Sequence, residues 1–250
     1  MTRILFMTYG AYLDSSNGAS VASRAMMEAM ARRGFSTEAL SGLFLEHGGE
    51  IEPSDWLAGL GVPFESAEGA SIADGPGQRP TGPPHYHLTV GGVAVTLAAR
   101  ARRPSPAPGD EGYEDALQLY DRILERFRPE VLVNYGSGRL SHEVRARARA
   151  RGAAVVFPVH GFGYRDPVTF STAEAVIVPS RFAADYYRKA LGLECTVLPN
   201  LIDLARVRVE DRDPRYLTFV RAHGGWMAHG QAEVGPIRPP ARPSRAGKKS

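Results

Sequence analysis

Apolar positions come in short runs separated by polar or glycine-containing loops. Residues 3–9 form a run of strand length ending at Gly10. After a polar loop, Ala22, Ala25, Met26, Ala29 and Met30 recur at the spacing of one helix face. Arg32 and Arg33 suit the last turn of that helix, and Gly34 suits its stop. A second strand is expected at 36–41. A parallel strand pair needs a long crossover, and this strand–helix–strand unit supplies one.

The middle of the chain breaks the rhythm. Residues 52–60 read as a short helix with Pro53 in its first turn. Residues 65–84 are rich in Gly, Pro, Ala and Ser and read as a mobile loop. Gly91-Gly92, between the runs 87–90 and 93–97, is a two-residue hairpin signal, and residues 100–112 read as linker. Alternation resumes at Tyr113. Ala116, Leu117, Leu119, Tyr120, Ile123, Leu124 and Phe127 mark a helix stopped by Pro129. Strands are expected at 131–134, 153–159, 175–178 and 196–198, and helices at 140–151 and 181–191. Such alternation specifies an α/β domain: a doubly wound, mostly parallel sheet with an inserted hairpin. Ligands of these sheets sit at the carboxyl ends of strands, so the loops after Tyr9, Asn134, Val159 and Val178 are where chemistry is sought. From about Arg221 the periodicity stops. Residues 221–250 offer no face to bury and are expected to be a disordered tail. Their Arg/Ala/Pro/Gly bias fits either a genuine basic tail or out-of-frame translation of a GC-rich gene after codon 220.

Composition narrows the partners. Of 250 residues, 43% are apolar and 23% charged, an ordinary globular balance. The net charge of +3 is unevenly placed: from Arg221 onward six basic residues face one acid, a local +5, which leaves −2 on residues 1–220. That distribution gives no argument for nucleic acid. The single cysteine, Cys195, cannot form an intrachain disulfide and fits a reducing, cytoplasmic compartment. Its apolar neighbours suit a small buried side chain better than a nucleophile. No apolar run approaches the ~20 residues that span a bilayer, and the opening residues suit a first strand better than a signal peptide.

Candidate chemistry gathers at strand ends. In the loop from the first strand into the first helix, Gly10, Ser16, Asn17 and Gly18 are candidate binding residues, because N–H groups at a helix N-terminus suit anions and glycine admits close approach. Ser15, Ser16 and Asn17 equally suit capping of that helix. Neither G-x-G-x-x-G nor a P-loop is present, which disfavours a nicotinamide-dependent oxidoreductase, and no cofactor is expected. Asn134, at the end of another strand, and Tyr135 and Gly136, just after it, are candidates for lining a cleft, the other reading being a turn that needs small residues. His160, in FPVHGFG, stands where a strand ends, and it suits hydrogen bonding to a substrate hydroxyl or phosphate, or general acid/base work. Ser180 reads as a helix cap. His85 and His87 share a strand face without an evident third ligand, so no metal site is expected. The alternating Arg/Ala run 145–151 reads as a solvated helix face; contact with an anionic lipid surface or acidic ligand is the other reading.

Several of these stretches together resemble the N-terminal, acceptor-side domain of GT-B-fold glycosyltransferases of the family 4 type. They are the opening strand, the Gly18-containing loop, the helix ending MARRGFSTEAL, Pro179-Ser180 with Phe182, and Pro199-Asn200 with Asp203. The likeness covers residues 1 to about 220, and Leu201 stands where many relatives have glycine. It implies a Rossmann-like half of a GT-B fold over residues 1–210, the start of a donor-binding domain at 211–220, and no counterpart for 221–250. The implied activity is retaining transfer of a sugar from a nucleotide-diphospho-sugar to a sugar or lipid-linked acceptor. The donor would be held by a second domain, without which the acceptor half is expected to be inactive. The histidine at the cleft edge would be His160. The alternative is a non-catalytic α/β binding module whose basic tail docks on a partner or membrane.

Overall fold

The computed structural model describes residues 1–44, 52–67, 85–98, 107–110 and 112–202. In chain order the elements are β1 (Arg3–Gly10), α1 (Gly18–Arg32), β2 (Ser36–Phe44), α2 (Pro53–Gly59), β3 (Phe64–Ala67), β4 (His85–Val90) and β5 (Val93–Ala98). There follow α3 (Tyr113–Phe127), β6 (Val131–Asn134), α4 (Arg139–Ala150), β7 (Ala154–Pro158), β8 (Ala175–Val178), α5 (Arg181–Leu191) and β9 (Thr196–Val197). A 3-10 turn, Pro167–Phe170, precedes β8.

These strands form one sheet in the order β3-β4-β5-β2-β1-β6-β7-β8-β9. Every pairing from β5 to β9 is parallel, and β3-β4 and β4-β5 are antiparallel. The hairpin forms as its glycine pair predicts: Gly91 and Gly92 take φ of 57° and 84°, the left-handed values a tight two-residue turn needs.

β1 shows why the sheet is central. Its inner positions, Ile4 to Tyr9, are all buried, and they alternate between two cores. Leu5, Met7 and Tyr9 pack with α3 and α4 through Leu117, Tyr120, Leu124, Leu140 and Val144. Ile4 and Phe6 face the other way, toward Met26 and Met27 of α1 and Leu57 of α2. A third cluster joins Phe157, Val176 and Val178 to Ala183 and Tyr187 of α5. Each fully buried large apolar side chain contributes about 1.5–3 kcal/mol. The crossover from β1 to β2 uses α1 on one face, while the one from β6 to β7 uses α4 on the other. The chain therefore reverses direction at β1/β6, which opens a crevice at the carboxyl ends of those strands.

Three expectations need correction. Residues 65–67, at the start of the segment read as a loop, belong to β3, paired antiparallel to β4. The buried face of α1 is rotated from the predicted one: Ser20, Ser23, Met26, Met27 and Ala29 turn inward, while Ala22, Ala25 and Met30 are only partly covered. The Arg145–Arg151 run is not uniformly solvated, because Arg145 is completely buried. Arg147, Arg149 and Arg151 keep to the outer side and pair with Asp121, Glu143 and Glu174. Residues 68–84 of the expected loop, Asp203, the expected donor-domain start at 211–220 and the tail at 221–250 lie outside the described residues.

Candidate functional site

The β1–α1 loop is shaped by a shift in strand register. β1 and β2 pair evenly from Arg3↔Ser36 to Thr8↔Ser41, then slip so that Gly10 faces Phe44. Ser41 staples the slip: its hydroxyl donates to the Gly10 carbonyl at 3.0 Å and accepts from the Tyr12 N–H at 2.8 Å. Ala11, Tyr12, Leu13 and Asp14 then turn inward, and Ser15 and Ser16 turn out. Asp14 accepts from both the N–H and the hydroxyl of Ser16. Asn17 caps α1, accepting from the N–H groups of Ala19 and Ser20 at 2.8 and 3.1 Å. The space around Gly18 is open, so a side chain there would meet nothing. Beside Gly10, the hydroxyl of Ser20 is buried and has no hydrogen-bond partner among the described residues.

His160 lies two residues past β7. Its Nε2 is 3.2 Å from the hydroxyl of Ser23 on α1. Tyr135, immediately after β6, meets the imidazole edge to face, with ring centroids 4.9 Å apart. The phenol oxygen of Tyr135 in turn accepts from Thr8 of β1 at 3.3 Å. The ends of β6 and β7 and the flank of α1 thus meet at one imidazole, and β1 reaches it through Tyr135. Burial holds the His160 pKa down at about 4, so the ring is neutral at physiological pH. His160 borders an open cleft shared with Ala22, Met26, Pro179, Pro199 and Asn200. Ser16, Asn17 and Gly18 are not among the residues lining it.

That depressed pKa predicts how stability responds to acid. Between pH 6.5 and 4 the unfolded chain protonates this histidine and the folded chain does not, so stability falls as pH falls through that window and levels off below it. The loss from His160 is on the order of 3 kcal/mol. Thermal melts from pH 7 to pH 4 should show a clearly shallower decline for His160→Gln than for the parent. Parallel slopes would contradict the assignment.

Asn134 and Gly136 belong to a different assembly. The Asn134 carboxamide is buried, donates to the Met7 carbonyl at 2.9 Å and accepts from Arg145 Nη1 at 2.9 Å, so its polar atoms point inward and not into the cleft. Arg145 also donates to the carbonyls of Gly136 and Thr169 and to the hydroxyl of Thr172, at 3.0, 3.2 and 3.0 Å. Its guanidinium lies over the ring of Phe157 at 5.1 Å. Burial lowers its pKa to about 10, which leaves it cationic. Every partner among the described residues is neutral, so there Arg145 pins the loop after β6 to the turn before β8 without an ion pair.

Two residues of this region escaped sequence reasoning, Ser23 and Arg145. A signal for each exists. Ser20, Ser23 and Met27 are spaced along one helix face, and Arg145 falls within the stripe Leu140, Ser141, Val144, Ala148.

The remaining sequence candidates sort simply. Ser180 caps α5, accepting from the Ala183 N–H at 3.2 Å. His85 and His87 stand ring to ring at 5.0 Å, with Thr96 hydrogen-bonded to His87, and among the described residues no cluster of three metal-binding side chains occurs. Cys195 is half-buried, and burial pushes its thiol pKa up, away from a reactive thiolate. No helix among the described residues is long and apolar enough to cross a membrane.

Comparison with known proteins bears on the whole domain. The sequence model of the family Glycosyltransferase Family 4 matches residues 77–206. Among solved structures, the chain is similar to the catalytic domain of starch synthase IV from Arabidopsis thaliana bound to ADP and acarbose. The TM-score is 0.52 at 10% identity, over 86% of this chain and 54% of that one. At such identity the likeness is one of fold, a mostly parallel α/β sheet, and the chain spans about half the length of that structure. No curated protein matches the chain.

Proposed function

The chain belongs to glycosyltransferase family 4, and on that premise we propose that residues 1–210 are the acceptor-side domain of a retaining glycosyltransferase that uses a nucleotide-diphospho-sugar. The observation that carries the proposal is the convergence of Ser23, Tyr135 and His160 at the strand ends, beside an open cleft. Breaking a glycosyl–phosphate bond builds negative charge on the leaving diphosphate, and a site that lowers the barrier must meet that charge with oriented donors. Asn17 takes the Ala19 and Ser20 N–H groups, so the first turn of α1 leaves the Gly18 N–H for a ligand, and the Ser20 hydroxyl beside Gly10, without a partner among the described residues, is a further donor. The neutral His160 contributes a hydrogen bond to an acceptor or donor-sugar oxygen.

The acceptor is a sugar or a lipid-linked sugar. The nucleotide and most of the diphosphate contacts are the work of a second Rossmann-like domain, in keeping with ADP and acarbose in the starch synthase structure. Cytoplasmic residence suits a chain with one thiol and no disulfide.

The division of labour is testable by calorimetry on the full chain. UDP-glucose and GDP-mannose should each bind weakly, with Kd above about 1 mM. Millimolar maltotriose or methyl mannoside should perturb the NMR signals of Tyr135 and His160, and His160→Ala should abolish that response. Micromolar binding of a nucleotide sugar would overturn the assignment of this domain to the acceptor side. Silence of Tyr135 and His160 toward every sugar probe would favour the non-catalytic binding module.

A further inference from the structure

We propose that Ser23 is a positioning residue that fixes His160 as its Nδ1–H tautomer, so that the ring meets a ligand as a hydrogen-bond donor. Ser23 is completely buried on the inward face of α1. Among the described residues its hydroxyl has one hydrogen-bond partner, the Nε2 of His160 at 3.2 Å. Two arrangements satisfy that distance. If Nε2 carried the proton, it would donate to the serine oxygen, and the hydroxyl proton would be left buried with no acceptor. If Nε2 is bare, the hydroxyl donates to it and nothing is stranded. An unmade buried donor carries the full penalty of desolvation, so the second arrangement wins. The hydrogen bond at one ring nitrogen decides what the other does. The proton therefore sits on Nδ1, the nitrogen that no described residue engages, while the edge-to-face contact with Tyr135 holds the ring plane.

The consequence narrows the chemistry of the site. A neutral imidazole with its proton on Nδ1 cannot accept a proton there; it donates to a lone pair. General-base work by that nitrogen is thereby excluded at neutral pH, and hydrogen bonding to a sugar or phosphate oxygen remains. That last step, the identity of the oxygen, rests on the glycosyltransferase reading. The tautomer itself does not.

The test is nitrogen-15 NMR of the full chain with labelled histidine at pH 7, with the His160 signals identified by their loss in His160→Gln. The expected result is a pyridine-type Nε2 and a pyrrole-type Nδ1, with the Nδ1–H form in excess by about tenfold or more. Ser23→Ala should erase that excess and move the population toward the Nε2–H form that a free histidine side chain prefers. Ser23→Thr, which keeps the hydroxyl, should restore it. A dominant Nε2–H form in the parent chain would overturn the proposal, whatever the variants do, as would an Nδ1–H excess that survives in Ser23→Ala. None of these signals depends on ligand binding. Failure of the sugar titrations would therefore sink the functional reading and leave the tautomer standing.

Discussion

Replacing Arg145 with methionine should destabilise the domain by about 3–5 kcal/mol, although methionine fills much of the same space over Phe157. The guanidinium serves four acceptors: the Asn134 carboxamide, the carbonyls of Gly136 and Thr169, and the Thr172 hydroxyl. Each acceptor left buried and unpaired costs about 1–3 kcal/mol, offset in part where water enters. For a domain of this size each kcal/mol shifts the midpoint by about 2–4 °C, so Tm should fall by about 10 °C. Arg145→Lys keeps the charge but gathers its donors on a single Nζ, which cannot reproduce a fork that spans β6, its loop and the turn before β8. It should lose about half as much. Thermal melts of both variants decide the matter, and an Arg145→Met midpoint within about 2 °C of the parent would show that the network is ornamental. Because Asn134 and Gly136 flank Tyr135, loss of the fork should also reach the cleft. The Arg145→Lys protein should show displaced Tyr135 and His160 signals even where it remains folded.

The same arginine marks the limit of what the chain declares about itself. Residues 145, 147, 149 and 151 are alike in type and spacing, and a count of charge treats them as one solvated face. Only Arg145 falls in line with Leu140, Ser141, Val144 and Ala148, all buried on α4. Its acceptors lie at separations of 9 to 27 residues, on other elements, where no local pattern reaches. β3 is a second case. Phe64–Ala67 has an exposed centre and no apolar alternation, so only its pairing with β4 makes it a strand. By contrast β1, β6, β8, α3 and α5 were legible, because a strand buried on both faces and a helix with one apolar stripe each follow from burial itself. His160 could be singled out from its place after a strand. The face it shares with Ser20 and Met27 marks Ser23 as inward-facing, but nothing local names as its partner a histidine 137 residues later.

A single methyl group at Gly136 should be nearly as damaging as the loss of Arg145, and for a different reason. Gly136 has φ of +112°, a conformation that side-chain-bearing residues adopt only with strain, typically about 1–3 kcal/mol. A Cβ there would also stand 2.7 Å from the Ser141 hydroxyl. That hydroxyl donates to the Tyr135 carbonyl at 3.3 Å, so it cannot yield without releasing the loop. Gly136→Ala should therefore cost about 3 kcal/mol and lower Tm by about 8 °C. Adding Ser141→Ala separates the two causes: it removes the collision and leaves the backbone strain, so the double variant should recover part of the loss and not all of it. Complete recovery would mean that the dihedral carries no penalty, and no recovery that the collision is harmless. The functional expectation follows from the same geometry. The Gly136 conformation turns the chain so that Tyr135 meets His160 edge to face while the Gly136 carbonyl accepts from Arg145. In Gly136→Ala the His160 ring should lose that neighbour, and the response of its NMR signals to sugar probes should weaken even at temperatures well below the melt.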